Sequence, residues 1–190
     1  MARPRTFDEE RALDAAMRAF WATGFTGTST DDLCAATGLG RSSIYNTFTG
    51  KRELFLAALR RYSDEMYGRA SEIFGRPSPI RDRVRALFEQ AIEPLPGDPV
   101  GCLVVNSVVE LGGSDPEVAE LLHRDGERRL VLMRDALAAA QTAGEIAPGR
   151  DPEALARFVG ATISGMRVAA RAGTDRAALA AIADTAIAAL

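Results

Sequence analysis

The sequence predicts an all-α protein, with a small N-terminal helical domain followed by a larger helical one. In the proline-free stretches, apolar residues recur at three- and four-residue spacing, which is the period of amphipathic helices. Proline, which ends helices, is absent between residues 5 and 76 and again after residue 152. With 47% hydrophobic and 26% charged residues, the chain of 190 residues has the composition of an ordinary globular protein, which excludes disordered and fibrous classes.

The first predicted helix has one apolar face and ends at Gly24. The apolar face consists of Leu13, Ala16, Met17, Phe20 and Trp21. A second helix over residues 30–37 is predicted to follow, because Ser29 and Asp32 have the spacing of a capping box, in which each side chain binds the amide of the other residue. A glycine-containing turn of three residues separates this helix from a third short one over residues 41–48.

The second and third helices, joined by a three-residue turn, form a helix-turn-helix. Ile44 and Phe48 lie one turn apart and are predicted to face inward, so the remaining residues of the third helix face outward. Those outward residues are all hydrogen-bond formers, namely Arg41, Ser42, Ser43, Tyr45, Asn46 and Thr47. In a helix-turn-helix the outward side chains of the second helix enter the major groove of DNA, so this face is predicted to contact DNA.

The charge distribution favours a polyanionic partner near this face. The net charge is -3, but residues 1–61 hold 9 basic against 7 acidic residues, and the remainder holds 14 against 19. No acidic residue occurs between Asp32 and Glu53. Lys51, the only lysine of the chain, falls at the start of the next predicted helix, where its charge and the free backbone amides suit a phosphate.

Residues 12–59 resemble the DNA-binding domain of the TetR/AcrR family of bacterial transcription regulators. The resemblance rests on features that occur in the family's order: Phe20 before Gly24-Phe25, then Thr28-Ser29, Asp32-Leu33, Gly38-Leu39, Ile44-Tyr45, Phe48 and Lys51. It implies a transcription regulator, most often a repressor, that binds double-stranded operator DNA. By resemblance, Tyr45 and Lys51 contact phosphates, Ser29 and Thr30 lie at the backbone-contacting start of helix two, and the candidate base readers are Arg41, Ser42, Ser43 and Asn46.

The remainder of the chain divides into six further helices at its prolines and glycines. They are predicted over residues 51–74, 79–93, 101–111, 116–143, 152–172 and 175–190. Residues 103–109 are rich in valine and read equally well as a buried strand, but a helix is predicted because no partner strand exists elsewhere. With the resemblance, we expect a DNA-binding domain over residues 1–50 and a helical effector-binding and dimerisation domain over residues 51–190.

In the family, the C-terminal part binds a small effector, here of unknown identity. Cys102, Asn106 and Glu110 are spaced four residues apart and share one helical face, so they are candidates to line the effector cavity. In the alternative, Cys102 is buried, Asn106 binds a neighbouring main chain and Glu110 reaches solvent. A third interpretation follows from the resemblance, since some regulators with Gly-Cys at this helix start respond to oxidants or electrophiles. There the helix start favours a reactive thiolate, and the apolar neighbours oppose it.

A homodimer is also predicted, because one short recognition helix reads few base pairs and two-fold symmetry doubles the site. The last two helices are expected to form the seam, that is, the interface between the two subunits. Gly160 and Ser164 are small enough for close helix approach, and Ile182 and Ala186 supply apolar area. In the alternative, these small residues pack inside one subunit.

Other function classes lack their motifs. The nucleophile motif G-x-S-x-G fails at Ser164, and Cys102 with His123 has no third residue to orient the base, so neither catalytic residues nor an enzyme are predicted. Two cysteines and one histidine cannot make a four-ligand zinc site without carboxylates, and no metal or cofactor is expected. A DNA-binding protein without an effector would leave roughly a hundred residues without a purpose. The sequence has neither an apolar run of ~18 residues nor a secretion signal, so we expect a cytoplasmic protein without membrane contact.

Overall fold

The computed structural model describes residues 5–93 and 95–190 of the chain. In these two ranges the chain forms helices and no strand, which confirms the all-α prediction. The helices are α1 (Arg5–Gly27), α2 (Thr30–Thr37), α3 (Arg41–Phe48), α4 (Lys51–Phe74), α5 (Ile80–Ile92), α6 (Leu103–Leu111), α7 (Pro116–Thr142), α8 (Pro152–Arg171) and α9 (Arg176–Ala188). The predicted bounds differ from these by at most two residues from α2 onward, and the valine-rich segment in α6 is helical.

The helices group into two compact units. The first contains the described chain through Asp64 together with Cys102–Leu121, and the second contains Glu65–Gly101 together with Leu122–Leu190. The division falls inside α4 and not at residue 50, because α6 packs against α1 and the first half of α4 belongs to the same core. The predicted boundary at residue 50 separates two functions, DNA binding in residues 1–50 and effector binding with dimerisation in residues 51–190. That functional division stays a prediction.

In the first unit, α1 is regular until Gly24, where the backbone turns to φ 80 and ψ 176 before a last turn that ends at Gly27. The helix therefore breaks at the glycine that the sequence marked as its end. The capping box at the start of α2 is present, since the amide of Asp32 donates to Ser29 Oγ at 3.1 Å and the amide of Ser29 donates to Asp32 Oδ2 at 2.8 Å. Gly38 ends α2 in the left-handed conformation, with φ 70, that favours glycine.

An aromatic core joins α1 to the first half of α4. The ring of Phe55, on α4, lies 5.2 Å from the ring of Phe20 and 5.0 Å from that of Phe25, measured between centroids. Trp21 packs against Tyr62 with centroids 4.8 Å apart. Ile44 and Phe48 are buried, which fixes the inward face of α3 and leaves its other side chains outside.

In the second unit, α5, α8 and α9 pack against one another. Their shared core also takes side chains from the end of α4 and from α7, and its larger members include Ile73, Phe74, Phe88, Leu137, Val159, Met166 and Ile187. Asp151 and Asp175 cap α8 and α9 by accepting the amides of Glu153 at 3.0 Å and Ala178 at 2.8 Å. Among the described helices, none is long and apolar enough to cross a membrane.

Candidate DNA-binding surface and sensor face

The outward face of α3 is a continuous polar surface. All six outward residues that the sequence indicated are exposed, and Tyr45 exposes 52% of its surface. Only Ile44 and Phe48 are buried, and they hold the helix from below. A short helix that is anchored by two apolar side chains and presents hydroxyl, amide and guanidinium groups is suited to enter a major groove.

Arg41 begins this surface and forms an ion pair with Asp31 of α2, with Nη2 3.1 Å from Oδ1. The side chains are 63% and 85% exposed, so the pair contributes little to stability and the guanidinium is free to reorient toward a base edge. Ser29 and Thr30 lie at the start of α2. The hydroxyl of Ser29 already serves the capping box, so its main role in the free protein is to hold that helix start in place.

Lys51 lies at the edge of the same surface. Its ammonium group is 4.4 Å from the centroid of the Phe25 ring, which is the geometry of a cation–π contact. Hydrogen bonds from the side chain and backbone of Ser29 lower the pKa of Asp32, and the charge of Lys51 lowers it further. The lysine is thus placed beside the start of α2, where two of the predicted phosphate contacts lie.

Arg52, which with Arg41 and Lys51 flanks the acid-free stretch of the sequence, has a structural role. Its Nη2 donates to both carboxylate oxygens of Asp115 at 2.9 and 3.0 Å, and its Nη1 donates to Glu117 at 2.8 Å. The hydrogen bond that Arg52 donates to Glu117 has the largest effect on its pKa, and the one to Asp115 has the next largest. Both raise the pKa of Arg52 above its usual value. The three residues tie the start of α4 to the start of α7. The acidic pair before α7 was visible in the sequence, but its partner 63 residues away was not.

Cys102 is the N-cap residue of α6 and is 4% exposed. The hydroxyl of the buried Tyr62 donates to its sulfur at 3.4 Å. The thiol therefore lies in the interior of the first unit, between α4 and α6. The other free cysteine, Cys34 on α2, is half-buried.

Asn106 and Glu110 lie on the face of α6 that packs against α1. Asn106 Nδ2 donates to the carbonyl oxygen of Trp21 at 3.3 Å. The carboxylate of Glu110 accepts the amides of Phe25 at 2.9 Å and Thr26 at 2.6 Å. Asn106 thus binds a neighbouring main chain, while Glu110 binds amides where the second interpretation expected solvent. Their assignment to effector binding stays a prediction.

The ionisation of Glu110 reflects these contacts. Partial burial acts to raise its pKa, but the hydrogen bonds from Thr26 and Phe25 and the charge of Lys51 outweigh that effect, and the pKa is lowered. Glu110 is therefore a carboxylate at neutral pH, and each of its bonds to an amide is charge-assisted.

The predicted seam residues fall into two groups. Ile182 is 40% exposed and Ser164 is exposed, whereas Ala186 is 4% exposed and a Cβ added to Gly160 would lie 3.7 Å from Met133 Cε of the same chain. Gly160 and Ala186 thus pack partly inside the subunit. Between α8 and α9 runs an open apolar groove of about 380 Å³, lined by Phe158, Thr162, Ala181, Ile182, Thr185 and Ala186.

The braced recognition helix, its polar outward face and the lysine beside it define a helix-turn-helix DNA-binding protein with a second helical unit. The chain belongs to the tetR family of bacterial regulatory proteins, whose family model matches residues 12–58. A second model, the tetracyclin repressor-like C-terminal domain, matches residues 81–186.

Curated relatives and solved structures agree with this family. The chain is 32% identical over 186 residues to the HTH-type transcriptional repressor ComR of Escherichia coli strain K12. The alignment covers 96% of this chain and 89% of ComR. It is 30% identical over 162 residues, 84% of each chain, to the uncharacterised HTH-type regulator YezE of Bacillus subtilis strain 168. A cysteine mutant of the TetR family regulator CifR, complexed with a 26-bp double-stranded operator DNA, superposes with a TM-score of 0.86 at 29% identity over 99% of both chains.

Proposed function

We propose that this chain is a homodimeric transcriptional repressor that binds a palindromic operator through α3 and releases it when a small-molecule effector binds the helical C-terminal domain. The observation that carries the proposal is the outward face of α3, which is exposed, rich in hydrogen-bond formers and free of acidic residues. The name of ComR as a repressor and the operator complex of CifR support the same function for this chain.

The proposed DNA contacts divide by their chemistry. Four side chains of α3 are proposed to read base edges, namely Arg41, Ser42, Ser43 and Asn46. Tyr45 and Lys51 are proposed to bind phosphates, together with Ser29 and Thr30 at the start of α2. The first group is proposed to give sequence preference and the second to give affinity, because phosphates carry no sequence information.

The first test of this division uses two variants of the recognition surface. Lys51→Ala is expected to weaken binding to all DNA sequences. It should reduce the slope of log K against log salt by about 1 per subunit, and so by about 2 for the proposed dimer, because each subunit loses one phosphate contact. Arg41→Ala is expected to change which base is preferred at one operator position, with a loss of about tenfold for the original site.

The operator for this test is the sequence that the purified wild-type protein selects from a random pool. A palindrome in that selection supports the homodimer, with half-sites about one helical turn or a multiple apart. Both variants binding like the wild type at every salt concentration would contradict the assignment of α2 and α3 as the DNA-binding elements.

A dimer places two recognition helices on one operator, and the groove between α8 and α9 supports that assembly. Its exposed apolar members, Phe158 and Ile182, are 43% and 40% exposed in the single subunit. Large apolar side chains grouped along a groove on a helix pair are typical of a surface that a second copy covers.

For the effector, we propose a reversible small molecule that acts on the α6 face with Cys102, Asn106 and Glu110. This face contacts the main chain of α1, so a ligand that displaces it changes the support of the helix-turn-helix. The ligand can lower operator affinity only if it binds the protein with α6 displaced from α1 more tightly than the protein with α6 in contact with α1.

A thiol sensor is the second candidate, favoured by the hydrogen bond from Tyr62 to Cys102 sulfur, which an oxidised sulfur would rearrange. Operator binding is to be measured before and after mild hydrogen peroxide, in wild type, Cys102→Ser and Cys34→Ser. Because Cys102 is buried, we expect the three proteins to respond identically. Loss of binding in wild type and Cys34→Ser, but not in Cys102→Ser, would instead establish the thiol sensor.

A further inference from the structure

We propose that Glu110, on α6 and outside the helix-turn-helix, is a positioning residue for DNA binding that holds the main chain between α1 and α2 and thereby places Lys51. The inference rests on the proposed DNA-binding function. It assigns to α6 a direct part in forming the phosphate-binding edge, so the functional DNA-binding unit extends beyond residues 1–50.

The carboxylate of Glu110 is fitted closely to this main chain. One oxygen accepts the amide of Phe25 at 2.9 Å and the other accepts the amide of Thr26 at 2.6 Å. Gly24 allows this approach, because a Cβ added there would lie 2.7 Å from Glu110 Oε2, and its φ of +80° is a conformation that other residues rarely adopt. The amides of the two residues directly after the break in α1 are thus bound by a residue 84 to 85 positions away.

The segment that Glu110 holds supports both parts of the phosphate-binding edge, which are Lys51 and the start of α2 with Ser29 and Thr30. The ring of Phe25 lies under the ammonium of Lys51, at 4.4 Å from the ring centroid. Three residues further on, the hydroxyl of Thr28 donates to the carbonyl of Gly24 at 2.6 Å, and Ser29 then caps α2. Moving the amides of Phe25 and Thr26 would therefore displace the support of Lys51 and the start of α2 together.

The sign of the effect separates positioning from simple charge. An acidic side chain near a phosphate contact repels DNA, so its removal strengthens binding if charge alone decides. A positioning role predicts the opposite, because the loss of the carboxylate releases the segment that supports Lys51. A weaker complex after removal of a negative charge is thus specific to positioning.

The experiment uses the full-length protein, the operator selected by the wild type, and two variants. Glu110→Gln keeps the size but places an amide donor against one of the two backbone donors, and Glu110→Asp keeps the charge but shortens the reach. Both are expected to weaken operator binding about tenfold, the scale of one charge-assisted hydrogen bond. Both are also expected to reduce the salt slope by about 1 per subunit, because each subunit loses the phosphate contact of Lys51.

Two controls make the result decisive. Glu127→Gln removes an equal charge from an exposed position on α7 and is expected to bind like the wild type. In the Lys51→Ala background, Glu110→Gln is expected to add little further loss, because the contact that it supports is already absent. A variant that is only less stable has a smaller active fraction, but the salt slope of the folded protein is unchanged.

Stronger or equal binding by Glu110→Gln, or an unchanged salt slope in both Glu110 variants, overturns the positioning role while the proposed function stands. A wild-type protein that selects no DNA sequence and binds no duplex at low salt contradicts the proposed function, and the positioning role falls with it. The two failures are therefore distinguished by the wild-type measurement.

Discussion

Replacing Ile182 by arginine is expected to convert the proposed dimer to a monomer and to weaken operator binding on the order of 100-fold. Ile182 is 40% exposed on α9 and lines the apolar groove between α8 and α9. If a second copy covers this groove, a guanidinium there is buried without a partner, at a cost of about 3 kcal/mol or more. A monomer binds one half-site at a time, so the second half-site no longer contributes to affinity.

Sedimentation at micromolar concentration measures the assembly, and titration of labelled operator measures the affinity. Val131→Arg is the matched control, since Val131 has the same 40% exposure but lies on α7, outside the residues that line the groove. It should remain a dimer with normal affinity. If Ile182→Arg sediments as a dimer and binds the operator like the wild type, the seam between α8 and α9 is refuted.

Replacing Phe55 by alanine is expected to lower the free energy of unfolding of the first unit by ~3 to 5 kcal/mol. Phe55 is 1% exposed, and the centroid of its ring lies 5.2 Å from that of Phe20 and 5.0 Å from that of Phe25. Its removal leaves a cavity where α4 meets α1, and the rings around it lose their edge contacts. For a protein of this size, the thermal midpoint should fall by roughly 6 to 20 °C.

The fluorescence of Trp21, the single tryptophan, reports this unit directly, because its ring packs against Tyr62 within the same core. Urea titration of wild type and Phe55→Ala by this signal gives the difference in unfolding free energy. Val109→Ala, at a position 82% exposed, should change it by less than ~0.5 kcal/mol. A Phe55→Ala midpoint equal to that of the wild type would show that the aromatic cluster does not stabilise the packing of α1 on α4.

The helices themselves could be predicted well because their signals are local. The capping box of Ser29 and Asp32, three residues apart, predicts the start of α2, and Gly38 predicts its end. The outward face of α3 followed from the burial of Ile44 and Phe48, which the sequence spacing already indicated. α1 was harder to bound, since its last turn continues past the break at Gly24 to Gly27.

The roles of individual polar residues were less predictable, because their partners are distant in sequence. Cys102, Asn106 and Glu110 do share one face of α6, as their four-residue spacing predicts. The sequence does not indicate the partners of that face. They are the hydroxyl of Tyr62, which donates to the sulfur of Cys102, and the main chain at the end of α1. A helical period states which residues share a face, and it contains no information about the surface that the face contacts.

The sequence by itself determined the all-α class, the order and approximate bounds of the helices, and the polar outward face of α3, because periodicity, caps and breakers act within four residues of one another. Only the tertiary structure decided that Gly160 packs against Met133 of its own chain, that Arg52 binds Asp115 and Glu117, and that Glu110 binds the amides after Gly24. These choices depend on how the helices pack, since a charged or small side chain is compatible with many partners until packing brings one of them within reach.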